Sequence, residues 1–175
     1  MVLQFACSKS GLILYSLDPT TVSDPATALS AALKASNANI LISMEAGNDV
    51  NYISVVQQVV PELRVFDVSK GMPFVSPRFP HLRMCIHTGF DQDDKAGWFP
   101  LRHMVVPSDN LDNYTQPVTG KTPLAGQFQV DGNGIPTGVG ATLDNEQVLK
   151  QNVWPTYSAI LKKEFHDVEG VGVIF

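Results

Sequence analysis

Cysteine and charge are both scarce in this sequence of 175 residues. The two cysteines, Cys7 and Cys85, are too few for a disulfide scaffold and are typical of proteins in a reducing compartment. Charged residues make up 17% of the chain against an average of about 25%, which indicates that other molecules cover part of the surface. No stretch approaches the roughly 20 uninterrupted apolar residues of a membrane-spanning helix, so we predict no transmembrane segment.

Positive charge is also in the minority. The 12 Lys and Arg residues and the 17 Asp and Glu residues give a formal net charge of −5. Binding to a phosphate backbone needs a basic face, so this balance argues against a nucleic-acid partner. The apolar fraction of 44% excludes a disordered chain. The apolar start at Val2 and Leu3 lacks a basic region before it, so we predict no secretory signal.

The first sixty residues alternate between strand-like and helix-like patterns. Ser23 or Asp24 ahead of Pro25 is typical of a helix start, and Asn37 is typical of a helix end. We predict, in order, a buried strand over 12–17, a helix over 24–37, a strand over 39–44 and a helix that is capped by 47–49 and runs to 61. Alternation with short connections favours a three-layer α/β fold, in which helices flank a mostly parallel sheet.

The rest of the chain is less regular and richer in turn residues. We predict a loop over 70–80, a strand over 82–87, a polar loop over 91–95, a short strand or irregular segment over 98–106, a long surface connection over 106–123, a strand over 124–130, a glycine-rich turn over 131–140, a helix from 144 or 145 to about 163 and a closing strand over 168–175. Pro155 is expected to kink or divide that last helix.

Two segments are similar to phosphate-binding motifs. The glycines of 132–140 follow a predicted strand and precede a predicted helix, a position where backbone N–H groups can bind anions. The dinucleotide fingerprint fails there, because Thr137 occupies the position of its third glycine. Residues 120–122 read Gly-Lys-Thr, but Thr115 stands at the first glycine of a Walker A loop and Pro123 blocks the following helix.

No catalytic or metal-binding residue is predicted. His81, Cys85 and His87 could be offered as metal ligands, but they lack a fourth ligand nearby and the segment is typical of a core strand. The acidic loop over 91–95 lacks the ligand pattern of a calcium loop, so we interpret it as solvated. His103 and His166 have no serine or cysteine in a nucleophile-elbow context.

Several segments, in order and spacing, resemble those of one known enzyme family. The early match is Gln-Phe-Ala over 4–6 with Lys-Ser-Gly-Leu-Ile-Leu over 9–14, and Val-Pro-Glu-Leu over 60–63 is similar to a later family helix. Gly-Trp-Phe-Pro-Leu over 97–101 matches the segment that follows. The most specific match is 127–138, which aligns with the nucleotide loop of the form Q-F-T-S-G-T-T-G-x-P-K-G. Together these segments resemble the N-terminal domain of AMP-forming acyl-CoA synthetases, and the resemblance covers nearly the whole chain.

The aligned nucleotide loop is degenerate in this sequence. The hydroxyl residues and the first glycine of the family loop are replaced in this sequence, and Thr137 stands at the position of the family's lysine. Asp131 introduces a carboxylate that would repel phosphate. Gly134, Pro136 and Gly138 are retained, and we interpret them as residues that a turn needs. The loop positions are Gln129, Val130, Asp131, Gly132, Asn133, Gly134, Pro136, Thr137 and Gly138. We therefore predict no bound cofactor.

The resemblance, together with the degenerate loop and the missing catalytic parts, indicates a catalytically inactive relative of these synthetases. Family members are much longer, and their catalytic C-terminal parts would follow Phe175, so residues 1–175 are expected to form a single incomplete domain of this type. We predict a non-catalytic structural or accessory subunit of a larger assembly, specifically a mitochondrial respiratory-chain or ATP synthase complex. Two alternatives stay open: a fragment of a split acyl-CoA ligase, and a module that binds acyl-CoA or lipid.

Partners and location follow from the same resemblance. A slice of a larger domain exposes apolar edges, so the predicted partners are other protein subunits of the complex. The predicted location is the mitochondrion, with the cytoplasm or peroxisome as alternatives.

Overall fold

The computed structural model describes residues 2–18, 22–47, 49–93, 95–104, 115–148 and 150. The helices of this part are α1 (Val2–Lys9), α2 (Pro25–Ser36), α3 (Tyr52–Val59), α4 (Leu101–Met104) and α5 (Asn145–Val148), with 3₁₀ turns at Pro61–Arg64 and Val68–Lys70. Its strands are β1 (Leu14–Tyr15), β2 (Ile40–Ser43), β3 (Ala46–Gly47), β4 (Val50–Asn51), β5 (Met84–His87), β6 (Phe99–Pro100), β7 (Pro123–Val130) and β8 (Pro136–Asp144).

The chain divides into two compact units. The first takes its described residues from Met1–Ser16, Ser108–Gln127 and Gly140–Ile174. The second takes its described residues from Leu17–Pro107 and Phe128–Val139. No helix in the described ranges is both long and apolar enough to cross a membrane.

Helix α2 forms where its end signals predicted it. The carboxylate of Asp24 accepts hydrogen bonds from the backbone N–H groups of Ala26 and Thr27, which would otherwise lack partners in the first turn. Pro25 occupies the first helical position, and Asn37 ends the helix in the left-handed conformation at φ 50°. The predicted helix over 24–37 is therefore confirmed.

The second unit contains a parallel sheet with the strand order β2-β5-β6. Strands β2 and β5 pair from Ile40 opposite Met84 to Ser43 opposite His87, and Ile86 pairs with Phe99 of β6. These strands confirm the predictions over 39–44 and 82–87, and with the helices they confirm the α/β class. Because β2, β5 and β6 are parallel, their carboxyl ends meet at one edge of the sheet.

The core of the second unit lies where α2 and α3 pack together. The apolar positions of α3 recur at helical spacing, and Leu41 and Cys85 of the sheet join the same cluster. The buried members are Leu29, Leu33, Ile53, Val56, Val59, Val60, Leu63, Phe74, Phe79, Leu82, Cys85 and Trp98. This cluster fixes β2 and β5 beneath the helices and so positions the residues at their carboxyl ends.

The first unit contains α1, α5 and part of a sheet with the strand order β1-β7-β8. Hydrogen bonds of the buried Asn145 side chain connect separate segments of the first unit. Its amide nitrogen donates to Ser8 Oγ at 3.0 Å and to the Thr119 carbonyl at 3.0 Å. The Gln116 amide donates to the Ser8 carbonyl at 3.0 Å. These contacts give buried polar groups the partners that they need.

Several sequence predictions are corrected by the structure. The predicted buried strand over 12–17 shrinks to the half-buried pair Leu14–Tyr15, and helix α1 was not foreseen. Gly47, one of the residues expected to cap α3, pairs in the β3–β4 hairpin, and Asn51 caps the helix instead. The predictions for 105–114, 151–163 and 168–175 fall outside the described residues.

Candidate functional site

The predicted nucleotide loop lies at the tip of the β7–β8 hairpin. Strand β8 begins at Pro136, so 131–140 is not one long turn, and the segment leads into a strand rather than a helix. This corrects the expectation that a helix N-terminus would stand behind the loop. The nine predicted loop positions span the end of β7, the turn and the start of β8: Gln129, Val130, Asp131, Gly132, Asn133, Gly134, Pro136, Thr137 and Gly138.

Asp131 organises the hairpin turn. Its Oδ1 atom accepts hydrogen bonds from the backbone N–H groups of Asn133 and Ile135, each at 2.9 Å. Its carbonyl accepts from the N–H group of Gly134 at 3.1 Å, and its own N–H group donates to the Ile135 carbonyl at 3.0 Å. Backbone N–H groups of this kind bind phosphate in nucleotide loops. Here an internal carboxylate occupies them.

The retained glycines have different roles. Gly134 has φ 78°, a left-handed conformation that a side chain would strain, so the turn needs glycine there. Gly138 lies inside β8 without a positive φ, so the interpretation of Gly138 as a turn residue is wrong. The Thr137 hydroxyl, at the position of the family lysine, donates to the Gln129 carbonyl at 3.2 Å across the hairpin.

A second polar cluster lies at the carboxyl edge of the β2-β5-β6 sheet. The Lys95 ammonium nitrogen lies 2.6 Å from Glu45 Oε1 and 2.5 Å from Asp91 Oδ1. Glu45 follows β2, whereas Asp91 and Lys95 lie in the loop between β5 and β6. We call these three residues the lysine clamp. Lys95 is only 6% exposed, so the predicted solvated acidic loop is wrong at this residue.

Lys95 and Asp91 of the lysine clamp keep their charges at neutral pH. Burial lowers the pKa of Lys95, but the hydrogen bonds to Asp91 and Glu45 together raise it above its ordinary value. The hydrogen bond from Lys95 lowers the pKa of Asp91. A lysine that stays protonated cannot act as a nucleophile or a general base at neutral pH. The clamp therefore ties the loop to the end of β2.

His87 lies beside the lysine clamp and is 0% exposed. Its Nε2 atom is 2.9 Å from Gln92 Nε2, and with the amide nitrogen as donor the imidazole proton resides on Nδ1. That Nδ1 atom has no hydrogen-bond partner within the described residues. Burial and the Lys95 charge lower the pKa of His87, although Glu45 and Asp91 act in the opposite direction, so the imidazole is neutral at pH 7.

The cysteine and histidines of the β5 region do not form a metal site. Burial raises the pKa of Cys85 to about 12, so its thiol is protonated and is a poor nucleophile and a poor ligand. Within the described ranges, no group of three or more His, Cys, Asp or Glu side chains is arranged to hold a metal ion. His81, Cys85 and His87 are therefore not brought together as ligands.

Little in the sequence predicts that the three residues of the lysine clamp lie together. Asp91 and Lys95 are four residues apart, which is the only local signal of their pairing. Glu45 is distant along the chain and reaches them only because β2 and β5 are parallel neighbours.

Comparison of the chain with protein-family models, with curated proteins and with solved structures finds no match in any of the three. The resemblance to acyl-CoA synthetases therefore stays a prediction from the residues. The functional argument depends on the geometry of the hairpin turn and of the lysine clamp.

Proposed function

We propose that this chain is a non-catalytic accessory subunit of a larger protein assembly, derived from an AMP-forming acyl-CoA synthetase. The observation that carries the proposal is the Asp131 carboxylate, which occupies the N–H groups of Asn133 and Ile135. A triphosphate at this turn would have to displace an internal carboxylate and would meet its negative charge at close range.

The state of the cysteine, lysine and histidine side chains near the sheet edge supports the same proposal. The protonated Cys85 thiol, the paired Lys95 ammonium and the buried His87 imidazole do not make a nucleophile–base pair. The hairpin tip is also open to solvent, with Val130 56% exposed, whereas catalytic electrostatics benefit from a water-excluded site.

Exposed apolar side chains support assembly with other proteins. In the second unit Met72, Val75 and Phe90 are all more than half exposed. Apolar surface of this kind is more stable when a partner chain covers it. As the setting we propose the mitochondrial respiratory-chain or ATP synthase complex that the resemblance implies.

Two measurements test the proposal. The first is calorimetric titration of the purified chain with ATP and Mg²⁺, in which we expect no binding up to millimolar nucleotide. The second is the native size of the tagged chain extracted from its own cells and fractionated organelles. We expect co-migration with a mitochondrial complex at fixed stoichiometry.

Other outcomes would point to the alternatives. Micromolar ATP binding would contradict the proposal and favour one half of a split acyl-CoA ligase. A fatty acyl group or CoA retained in native mass spectrometry would instead favour an acyl-binding module. A chain that runs as a monomer in native extracts would remove the basis for an accessory subunit.

A further inference from the structure

Phe90 is the most exposed aromatic side chain among the described residues, with 84% of its surface open to solvent. It lies in the loop over 88–97 between β5 and β6, at the carboxyl edge of the parallel sheet. Burial of an aromatic side chain removes a large apolar surface from water and is favourable. The fold itself gains nothing from this position, so an intermolecular role accounts for it better.

The loop that carries Phe90 is held in place on both sides of it. Before Phe90, the N–H group of Thr88 donates to the Ser43 carbonyl at 3.0 Å. At Gly89, a Cβ atom would lie 1.9 Å from Cδ of Glu45, so a larger residue there would displace the clamp carboxylate. We call residues 88–97 the clamped loop.

After Phe90, the lysine clamp and His87 hold the loop. Lys95 joins Asp91 of the loop to Glu45 of the β2 end, and the Gln92 amide contacts the buried His87 ring at 2.9 Å. The N–H group of Lys95 also donates to the Gln92 carbonyl at 3.1 Å. An aromatic side chain on a loop that is already ordered loses little conformational entropy when it binds.

The clamped loop is acidic next to Phe90. The sequence after it reads Asp91-Gln92-Asp93-Asp94, and Lys95 is already engaged with Asp91 and Glu45. Asp93 is exposed. An apolar anchor with an acidic border matches a partner pocket that has an apolar floor and a basic rim. An anionic membrane surface would repel the same border.

We propose that the clamped loop is the docking element of this chain, with Phe90 inserted into an apolar pocket that is rimmed by Lys or Arg on a neighbouring protein subunit. The inference rests on the proposed accessory role and adds to it the contact residue and the chemistry of the partner. Lys95, Glu45 and Gly89 act as positioning residues, because they fix the loop and do not themselves contact the partner.

The first test compares exposed-site variants in the native assembly. Phe90→Ser in the tagged full chain should lower its recovery in the complex by at least about tenfold, because a central aromatic anchor commonly carries this much affinity. Val65→Ser is the matched control, since Val65 is 86% exposed and lies outside the clamped loop. Lys95→Met should also lower recovery, and Asp93→Lys should lower it more at low salt than at high salt.

The second test identifies the partner surface. A photo-crosslinking phenylalanine derivative at position 90 should give one dominant crosslinked peptide, within a pocket that carries Lys or Arg at its rim. The same derivative at position 65 should not crosslink there. Circular dichroism of Phe90→Ser separates lost docking from lost folding.

Each remaining outcome overturns the inference. Full recovery of Phe90→Ser in an intact complex would contradict the docking role but would not affect the proposed accessory function. Crosslinks to a second copy of this chain would assign Phe90 to self-association. Flotation with phosphatidylcholine vesicles by the wild type, but not by Phe90→Ser, would assign Phe90 to a membrane. A wild-type chain that is monomeric in native extracts would instead contradict the accessory function itself.

Discussion

At the scale of single residues, burial decides which groups near the sheet edge are chemically active. Cys85 and His87 alternate with apolar residues on β5, and both are almost wholly shielded from water. Shielding disfavours a thiolate at Cys85 and an imidazolium at His87. Lys95 is shielded as well but stays charged, because two carboxylates lie within hydrogen-bond distance. The sheet edge therefore contributes structure more than reactivity.

The lowered pKa of His87 predicts a pH dependence of folding stability. An unfolded histidine has a pKa of about 6.5, and in the folded chain burial and Lys95 lower it. Below about pH 6.5 the unfolded state therefore binds a proton that the folded state does not, and the free energy of unfolding decreases as the pH falls towards the folded pKa. Urea unfolding between pH 8 and pH 5 should show this decrease.

The variant His87→Gln isolates this effect. It removes the titrating ring and keeps an oxygen that can accept from the Gln92 amide. The decrease of stability between pH 7 and pH 5 should become shallower than in the wild type, although the variant is less stable at pH 8. Equal slopes in the two proteins would show that His87 is not the titrating group.

At the scale of elements, local end signals decide where the helices begin. Asn37 ends α2 as predicted, and of the two predicted caps, Ser23 and Asp24, the structure shows Asp24. Such signals are readable in the sequence because a cap acts on N–H groups only a few residues away. The start of α3 was placed too early, since Gly47 and Val50 pair in the β3–β4 hairpin before the helix begins. The end of β7 was placed correctly but β8 was missed, because glycines at 138 and 140 resemble a turn more than a strand.

The cap of α3 gives a prediction at this scale. Asn51 Oδ1 accepts from the Ser54 N–H group at 2.9 Å, and Asn51→Ala leaves that group without its side-chain partner. We expect a loss of about 1 kcal/mol in the free energy of unfolding. Asn51→Ser is the matched variant, because a serine hydroxyl can accept the same hydrogen bond. Chemical denaturation measures both, and an equal loss in the two would contradict the capping role.

At the scale of the whole molecule, the described chain is an α/β protein with two compact units. The second unit has a buried cluster that joins both long helices, the sheet and the segment before β5. Its exposed apolar residues lie outside that cluster, so exposed and core apolar positions should respond differently to truncation.

Truncation of the core should be far more costly than truncation of the surface. Leu82 is fully buried in the cluster of the second unit, and Leu82→Ala should lower the free energy of unfolding by about 2–5 kcal/mol. The control Val65→Ala should change it by less than about 0.5 kcal/mol, because Val65 is exposed. Thermal unfolding followed by circular dichroism gives the comparison, and similar effects at both positions would contradict the assigned core.

The sequence by itself determined α2, the strands around Leu41 and Cys85, and the net charge of −5, because each depends on composition or on neighbours within a few residues. It also pointed to Asp131 as the residue that opposes phosphate, but not to the turn N–H groups that Asp131 binds. Only the tertiary structure decided that Lys95 is buried. Its second carboxylate, Glu45, comes from a distant segment that parallel strand pairing brings alongside.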